Sequence, residues 1–463
     1  MNCLFPPLAD ETRYILESLP AIIDKAFPIP ARFRSELPRD VAKLSRLLTC
    51  EREDRSGSYL GIDSLLSAYL RYFLPWNIYR LTRLFTSLPL KLKPHDSVND
   101  LGSGPLTLAA SLWISRPDLR GIPLEFRCLD KTAAVLETGK KFFAALTAAF
   151  PNNKGESASF GKSGEKEGTA CPWTIRTIRG EIKKNGKLSS EIRGDGAALS
   201  AAVNVYNELF WDFSPADSGQ AALFAEKQAR LLSSLTAGTG SIFVAEPGIP
   251  RSGEFISLLR SAFIKEGRSP VSPCTHQGPC PLPGGRPGNH PSHRTGSHHS
   301  GVKAKWCHFA FDTENAPAAL HKLSAAAHIP KERAVMSFIL AGPAGQSRDK
   351  APKGHTEAGT DSPVSIRIIS DCFPINAAKG SSTGRLGRKT GENYERKNRD
   401  QAGYKETIVS WGRYGCSEQG LVLITGSREC LAFSSSGKAE YLPINKGNID
   451  EKSGALIAHK KEP

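Results

Sequence analysis

The sequence predicts an α/β protein built on a doubly wound, mostly parallel sheet of the Rossmann-like type. Three observations carry this. From about residue 95 to 270, five short apolar runs alternate with helical segments, the rhythm of strands joined by crossover helices. The first run passes through Gly102-Ser103-Gly104 into LTLAASLW, a strand-turn-helix passage in which glycines let the backbone approach a ligand and leave amides free to point at it. The second run, LEFRCLD, ends on the carboxylate of Asp130.

Ahead of this region, residues 1–92 form an N-terminal helical region. Ile15, Leu16, Leu19, Ile22 and Ile23 recur at helical spacing, and SLLSAYLRYFLPWNIYRLTRLFTSL continues the pattern. Pro75 is expected to kink or divide that second stretch. Arg71, Arg80, Arg83 and Lys91 place cations beside aromatic side chains there, which suits either an amphipathic helix packed on the next domain or an RNA-contacting surface.

Residues 93–270 hold the sheet, with SVNDLGSG, LEFRCLD, WTIRTIRG, ALSAAVNVYNEL and GSIFVAEPG as its strands and following loops. Stretches 152–170 and 183–196, rich in Gly, Ser and Lys, read as surface loops. Residues 271–445 read as a cysteine-rich module with a small β component, AVMSFILAG, SIRIIS and GLVLITG being strand-like. Insertions at 281–303, 345–362 and 377–403 and a tail at 446–463 are expected to be disordered. His290, His293, His298 and His299 in the first insertion suit a solvated loop better than a transition-metal site.

The chain has 463 residues, enough for two or three folding units. Its 61 Lys and Arg against 46 Asp and Glu give a formal charge of +15, which favours a polyanionic partner and makes nucleic acid the first candidate. No run of apolar residues is long enough to span a membrane, and the N-terminal stretch lacks the marks of a targeting peptide, so a cytoplasmic protein is expected. Ten cysteines in so long a chain are too sparse for a disulfide framework and suggest metal ligation or buried thiols.

Asp100, Gly102, Gly104 and Asp130 form a nucleotide-binding constellation, with Asn207 and Glu208 following the fourth strand at the carboxyl edge of the sheet. At the end of the second strand an acid can bind both ribose hydroxyls of an adenosyl group. Plainer readings stand beside this one: the glycines as an ordinary tight turn, Asp130 as a helix N-cap, Asn207 and Glu208 as structural caps. Thr107 stands where a dinucleotide-binding GxGxxG would place its third glycine, which disfavours an NAD enzyme and leaves the class I methyltransferase version of the sheet. After the fourth strand the chain reads NELFWDF, without the polar-proline-aromatic motif common among base methyltransferases, so no catalytic residue is assigned.

Cys274 and Cys280 in SPCTHQGPCPLP, Cys307 in KWCHF and Cys416 in RYGCSEQG are the candidate metal ligands, for zinc or an iron-sulfur cluster. Their spacing matches neither a zinc ribbon nor a ferredoxin run, and buried free thiols remain the alternative. The order DLGSGP, NEL, EPG followed by Pro-Arg, CxHxGPCPL, WCHF and CSEQG resembles the family of the mitochondrial small-subunit ribosome protein twenty-two and methyltransferase-like protein seventeen, with their bacterial relatives. The resemblance spans roughly residues 60 to 425 and is most specific from Cys274 to Cys280 and at WCHF. It implies a class I methyltransferase fold binding S-adenosyl-L-methionine and a role in small ribosomal subunit assembly through rRNA contact, with neither DNA nor a membrane as partner. It also implies a 4Fe-4S cluster on Cys274, Cys280, Cys307 and Cys416, with zinc as the alternative metal and Cys372 competing for the fourth place. Whether the chain transfers methyl groups or serves as an inactive RNA-binding assembly factor stays open. Relatives often carry a further glycine where this sequence has Leu106.

Overall fold

The computed structural model describes residues 3–49, 63–152, 170–210, 218–284, 305–343, 363–375 and 410–460, apart from 191, 193, 429–430, 432–436, 445–447, 451–452 and 454. Almost the whole of each expected insertion, including its histidines, lies outside the described residues. The N-terminal region contributes α1 (Asp10–Ala26), α2 (Ala31–Arg34), α3 (Leu37–Thr49), α4 (Asp63–Ala68) and α5 (Leu74–Phe85). A single π-helical turn, Tyr69–Phe73, joins α4 to α5. Pro75 explains it: proline has no N–H for the preceding turn and its ring crowds that turn's carbonyl, so the helix widens before Pro75 and restarts with the proline in its first turn.

The sheet region follows with β1 (Ser97–Leu101), α6 (Thr107–Ser115), β2 (Leu124–Asp130), α7 (Ala133–Ala149), β3 (Trp173–Arg179), β4 (Ala197–Val203), α8 (Tyr206–Leu209), α9 (Ser218–Ser234), β5 (Thr236–Pro247), α10 (Pro250–Lys265) and β6 (Ser269–Ser272). After the cysteine loop come β7 (Phe309–Asp312), α11 (Ala318–Ala326) and β8 (Arg333–Gly342). The strands stand in the order β3-β2-β1-β4-β5-β8-β6, with β7 on the outer part of β8. β1 to β5 are parallel, and β8 runs antiparallel to both β5 and β6.

The sheet therefore continues past residue 270, because AVMSFILAG folds back between β5 and β6. Its buried pattern explains why: every residue from Met336 to Gly342 is buried, as a strand flanked on both sides requires.

Helix α6 is buried at all nine positions. A helix apolar on every side needs cover on every side. Here α5 and α1 supply it, and one apolar core runs from Leu16 and Tyr79 through Trp113 to Phe243 and Phe338. Eleven of the twelve residues of α5 are buried, Arg80 being the exception, so this segment is an interior helix. Arg71 pairs with Asp24 at 2.9 Å, Arg83 with Asp312 at 3.4 Å, and the hydroxyl of Tyr79 donates to the carbonyl of Asp312. Helix α5 is thus a helix packed on the next domain, with Arg80 alone of its residues not buried. A second core, with Phe224, Phe255 and Phe263, fills the opposite face of the sheet under α9 and α10.

The C-terminal unit is a second sheet made of β9 (Val364–Ile368), β10 (Phe373–Ile375), β11 (Ser410–Ser417), β12 (Gly420–Gly426), β13 (Ala439–Leu442), β14 (Ile449–Asp450) and β15 (Ala455–His459). Its order is β13-β9-β11-β12-β15-β14, with β10 on β11. The expectation of a disordered tail from residue 446 is corrected here: ALIAH pairs in parallel with β12 and buries Ala455 and Ala458. Its signal was hidden because the strand is short and its partner is a distant hairpin arm.

Candidate functional site

The carboxyl ends of β1, β2 and β4 meet at the glycine turn. Gly102 has φ +71° and Gly104 φ +54°, left-handed conformations that glycine adopts without strain. Gly102 cannot carry a side chain: a Cβ there would lie 2.4 Å from Cγ2 of Val205, which follows β4. At Gly104 a Cβ would meet nothing within 4 Å, so the turn opens onto free space at this residue. Asp130 accepts the amide of Gly104 at 3.0 Å through Oδ2 and that of Thr132 at 2.9 Å through Oδ1. It therefore ties the glycine turn to Thr132, the residue that caps α7, and is not itself the N-cap of that helix.

Leu106, where a glycine was expected, also takes the left-handed conformation, at φ +60°. Its side chain does not enter the open space. It is fully buried against α7, where Gly139 makes room: a Cβ at Gly139 would lie 2.7 Å from Cγ of Leu106 and 2.6 Å from the carbonyl carbon of Pro105. The glycine missing from the loop is matched by a glycine in the helix beneath it.

Asp100 is buried, and Ser103, its one side-chain partner in the turn, leaves Oδ2 without a hydrogen bond. Burial pushes its carboxyl up to about 7. Asp130 is raised in the same sense, by burial first, against the pull of its two amide donors.

Asn207 lies on α8, and its amide donates to Glu246. Its side chain lines a narrow cleft with Tyr206, Phe210 and Arg251 on the β5 side. The charges that reach Asp130 are those of Lys131, which lowers it, and Glu208, which raises it, and these two stand 3.9 Å apart.

Three groups at this edge were not singled out as site residues from sequence. Glu246, at the end of β5, accepts the amides of Val205, Tyr206 and Asn207 at 3.1, 2.8 and 3.0 Å and so holds the first turn of α8. Burial pushes it up to about 8, opposed by those three donors. The motif EPG had marked this place without indicating its role. Tyr69, on the π-helical turn, is partly buried, with its hydroxyl beside Asn77 and in the field of Glu208 and Asp130; burial raises it to about 12. Arg80 lies near Tyr69 and Glu246, with burial lowering its guanidinium to about 10. Tyr69 and Arg80 sit in SLLSAYLRYFLPWNIYRLTRLFTSL, whose mix of aromatic and cationic residues was visible, but their destination depends on how α5 crosses the sheet.

These features decide the fold. In the dinucleotide-binding version of the doubly wound sheet the fifth strand is followed by a parallel sixth; here the reversed β8 stands between β5 and β6, above a DxGxG turn and an acid ending β2. This is the class I methyltransferase fold. No protein-family model matches the sequence, and no curated protein matches it. Similar solved structures include a putative class I S-adenosylmethionine-dependent methyltransferase from Listeria monocytogenes, 12% identical over 74% of this chain and 90% of that one, with a TM-score of 0.28. A putative methyltransferase from Thermoplasma acidophilum is 10% identical over 57% of this chain and 74% of that one, at 0.26. The YcgJ protein from Bacillus subtilis is 10% identical over 57% of this chain and 99% of that one, at 0.28. The strand order and the turn, rather than these overlaps, define the fold.

The second candidate centre lies where the methyltransferase sheet meets the C-terminal sheet. Cys274 and Cys280 come from the loop after β6, Cys307 from the stretch before β7, and Cys416 from β11. Cys280, Cys416 and Leu282 form a small apolar cluster with Cys307 against it. Burial raises the thiols of Cys280, Cys307 and Cys416, and neighbouring thiolates of the same set raise each of them further. Cys372 stands apart, beside Arg413 and Arg428.

Local packing explains why motifs so far apart in sequence converge. Trp306 of WCHF donates to the carbonyl of Gly248 at 3.1 Å and lies against Gly253, where a Cβ would be 2.7 Å from its ring. Arg251 donates to the carbonyl of Phe210 at 3.1 and 2.9 Å. Arg260, buried on α10, donates to Sγ of Cys274 at 3.2 Å and to the carbonyl of His276 at 2.8 Å. Nε2 of His276 lies 3.4 Å from Sγ of Cys416. Arg367 of β9 donates to the carbonyl of Pro273 at 2.9 Å, joining the two sheets beside the thiols.

Among the described residues no group of three or more His, Cys, Asp or Glu side chains is drawn together tightly enough for a single metal ion. No helix among them is long and apolar enough to cross a membrane.

Proposed function

We propose that this chain is a methyltransferase-fold protein of small ribosomal subunit assembly, which binds S-adenosylmethionine at the glycine turn, contacts small-subunit rRNA and carries a 4Fe-4S cluster. The observation that carries the reading is the gathering of four cysteines from three separate motifs at one junction, Cys280 and Cys416 buried and Cys274 and Cys307 partly so, in the order of the family the sequence resembles.

The glycine turn fits the cofactor, and the gathered thiols are the donors a cluster would use. For the cofactor, Gly104 opens onto free space, and the Asp130 carboxylate beside it keeps lone pairs for ribose hydroxyls. The fully buried Leu106 leaves that space clear. S-adenosylmethionine supplies an electrophilic methyl group on a sulfonium centre. The chain's part is to orient it with the turn amides and to exclude water with Tyr69 and the π-helical turn above the sheet edge. For the cluster, the reading rests on Cys280 and Cys416 packing together with Cys307 against them and Cys274 acting on all three, and four thiolates that each bind a different iron would stand farther apart than four around one ion. Arg260 supplies a buried positive charge to such a thiolate-rich centre. The charge of +15 suits an RNA partner.

A second reading, an RNA-docking platform without methyl transfer, is favoured by one feature. Tyr69 stands, partly buried, over the region of Asp130 and Glu208, where a target base would need to enter. Transfer of labelled methyl from S-adenosylmethionine to naked small-subunit rRNA or to immature subunits separates the two. Methylation lost in Asp130→Ala supports the enzyme, and RNA binding that survives this substitution without any methylation supports the platform. A chain that binds neither the RNA nor the subunit contradicts both.

A further inference from the structure

Between α5 and the segment leading into β8 lies a cleft with about 170 Å³ of free volume, lined by Trp76, Arg80, Pro330, Lys331, Arg333 and Val335. Its charged lining is three cations, Arg80, Lys331 and Arg333, against one carboxylate, Glu332. Two of the cations are already engaged: Arg80 donates to the carbonyl of Val335 at 3.2 Å and to Asn77, and Arg333 pairs with Asp371. Lys331 differs. Its ammonium rests over the rings of Trp76 and Tyr72, at 5.5 and 5.7 Å from their centres, and no carboxylate among the described residues pairs with it. Burial lowers it to about 8, and the charge of Arg80 adds to the effect. A half-buried ammonium beside a second cation carries a desolvation cost that ring faces offset only in part. An anion in the cleft would offset the rest.

We infer that this cleft is an anion site that takes one phosphate of an RNA backbone, held by Lys331 and Arg80. The inference rests on the RNA reading above and deepens it. Arg80 joins the cleft to the sheet edge, since the same guanidinium acts on Tyr69 and Glu246, and Tyr69 lies in the field of Asp130 and Glu208. A phosphate on Lys331 would therefore hold the neighbouring nucleotide beside the glycine turn.

The test is the binding of the full-length chain to a small-subunit rRNA hairpin, by fluorescence anisotropy over a salt series, with wild type, Lys331→Met and Lys331→Arg. Removing one phosphate contact should weaken binding about ten-fold at low salt and reduce the slope of log affinity against log salt by about one, while Lys331→Arg keeps both. Lys331→Met keeps the apolar stem and removes an uncompensated charge, so its thermal unfolding should match or exceed that of the wild type. Inorganic phosphate is titrated in parallel. Equal affinity and slope for wild type and Lys331→Met would overturn the site, as would a fall in the stability of Lys331→Met. Lys331-dependent binding of inorganic phosphate by a chain that does not bind the hairpin would keep the anion site and overturn the RNA assignment.

Discussion

Asp130 braces the glycine turn and the start of α7 at once. Its carboxylate holds both the amide of Gly104 and that of Thr132, the cap residue of α7, so the side chain that braces the start of the helix is the one proposed to meet the cofactor. Asp130→Ala should weaken S-adenosylmethionine binding at least about ten-fold, the loss of a charged hydrogen-bonding partner, as isothermal titration would show. Retained affinity would place the cofactor elsewhere. Asp100 makes a separate prediction. Its carboxyl is raised from 3.8 to about 7, so the folded state holds a proton that the unfolded chain releases. Stability from this group is present below about pH 4 and is lost as pH rises through about 7. Asp100→Asn should therefore flatten the fall in stability across this window by a few kcal/mol. Chemical denaturation as a function of pH checks it; an unchanged profile would mean that Asp100 is not buried as described.

At the scale of elements, the glycine loop is held from below by α7. Gly139→Ala would push a methyl into the backbone of Pro105 and Leu106, and overpacking of this kind costs about 1–3 kcal/mol. The expected result is a lower Tm together with weaker cofactor binding, because the displaced segment is the loop itself. Glu246 does the same service for α8. Glu246→Gln replaces one of two acceptor oxygens with a donor facing an amide, and should cost about 1–3 kcal/mol. Faster amide exchange at Val205 to Asn207 would accompany it; unchanged protection there would contradict the capping role. These pairings also show where sequence reading stopped. The five parallel strands announced themselves as apolar runs, and DLGSG and the acid ending LEFRCLD were local. The compensation of Leu106 by Gly139, and the delivery of three amides to Glu246, depend on contacts between residues dozens of positions apart.

At the scale of the molecule, what looked like three successive regions are interlocked. The N-terminal helices share one core with the methyltransferase sheet and with α11, through bonds such as Tyr72 to the carbonyl of Ile329. The chain returns after its cysteine loop to insert β8 between β5 and β6. No local pattern declares an insertion of this kind, since AVMSFILAG is only an apolar run until its neighbours are known. Likewise the last strand, β15, reads as tail until β12 is beside it. The four cysteines were legible as motifs, and their gathering required Trp306 to seat on Gly253 and β11 to bring Cys416 across from the second sheet. A metal centre built on that junction would couple the two sheets. Cys280→Ser should therefore lower the Tm of the C-terminal unit more than that of the glycine-turn region, as hydrogen exchange resolved along the chain would report.

The most direct test of the account is anaerobic purification of the full-length chain followed by an absorption spectrum and analysis of iron, sulfide and zinc. The expected result is a broad band near about 400 nm with about four irons per chain, lost in Cys280→Ser. A colourless, well-folded protein without iron would contradict the cluster and return Cys274, Cys280, Cys307 and Cys416 to the role of buried thiols.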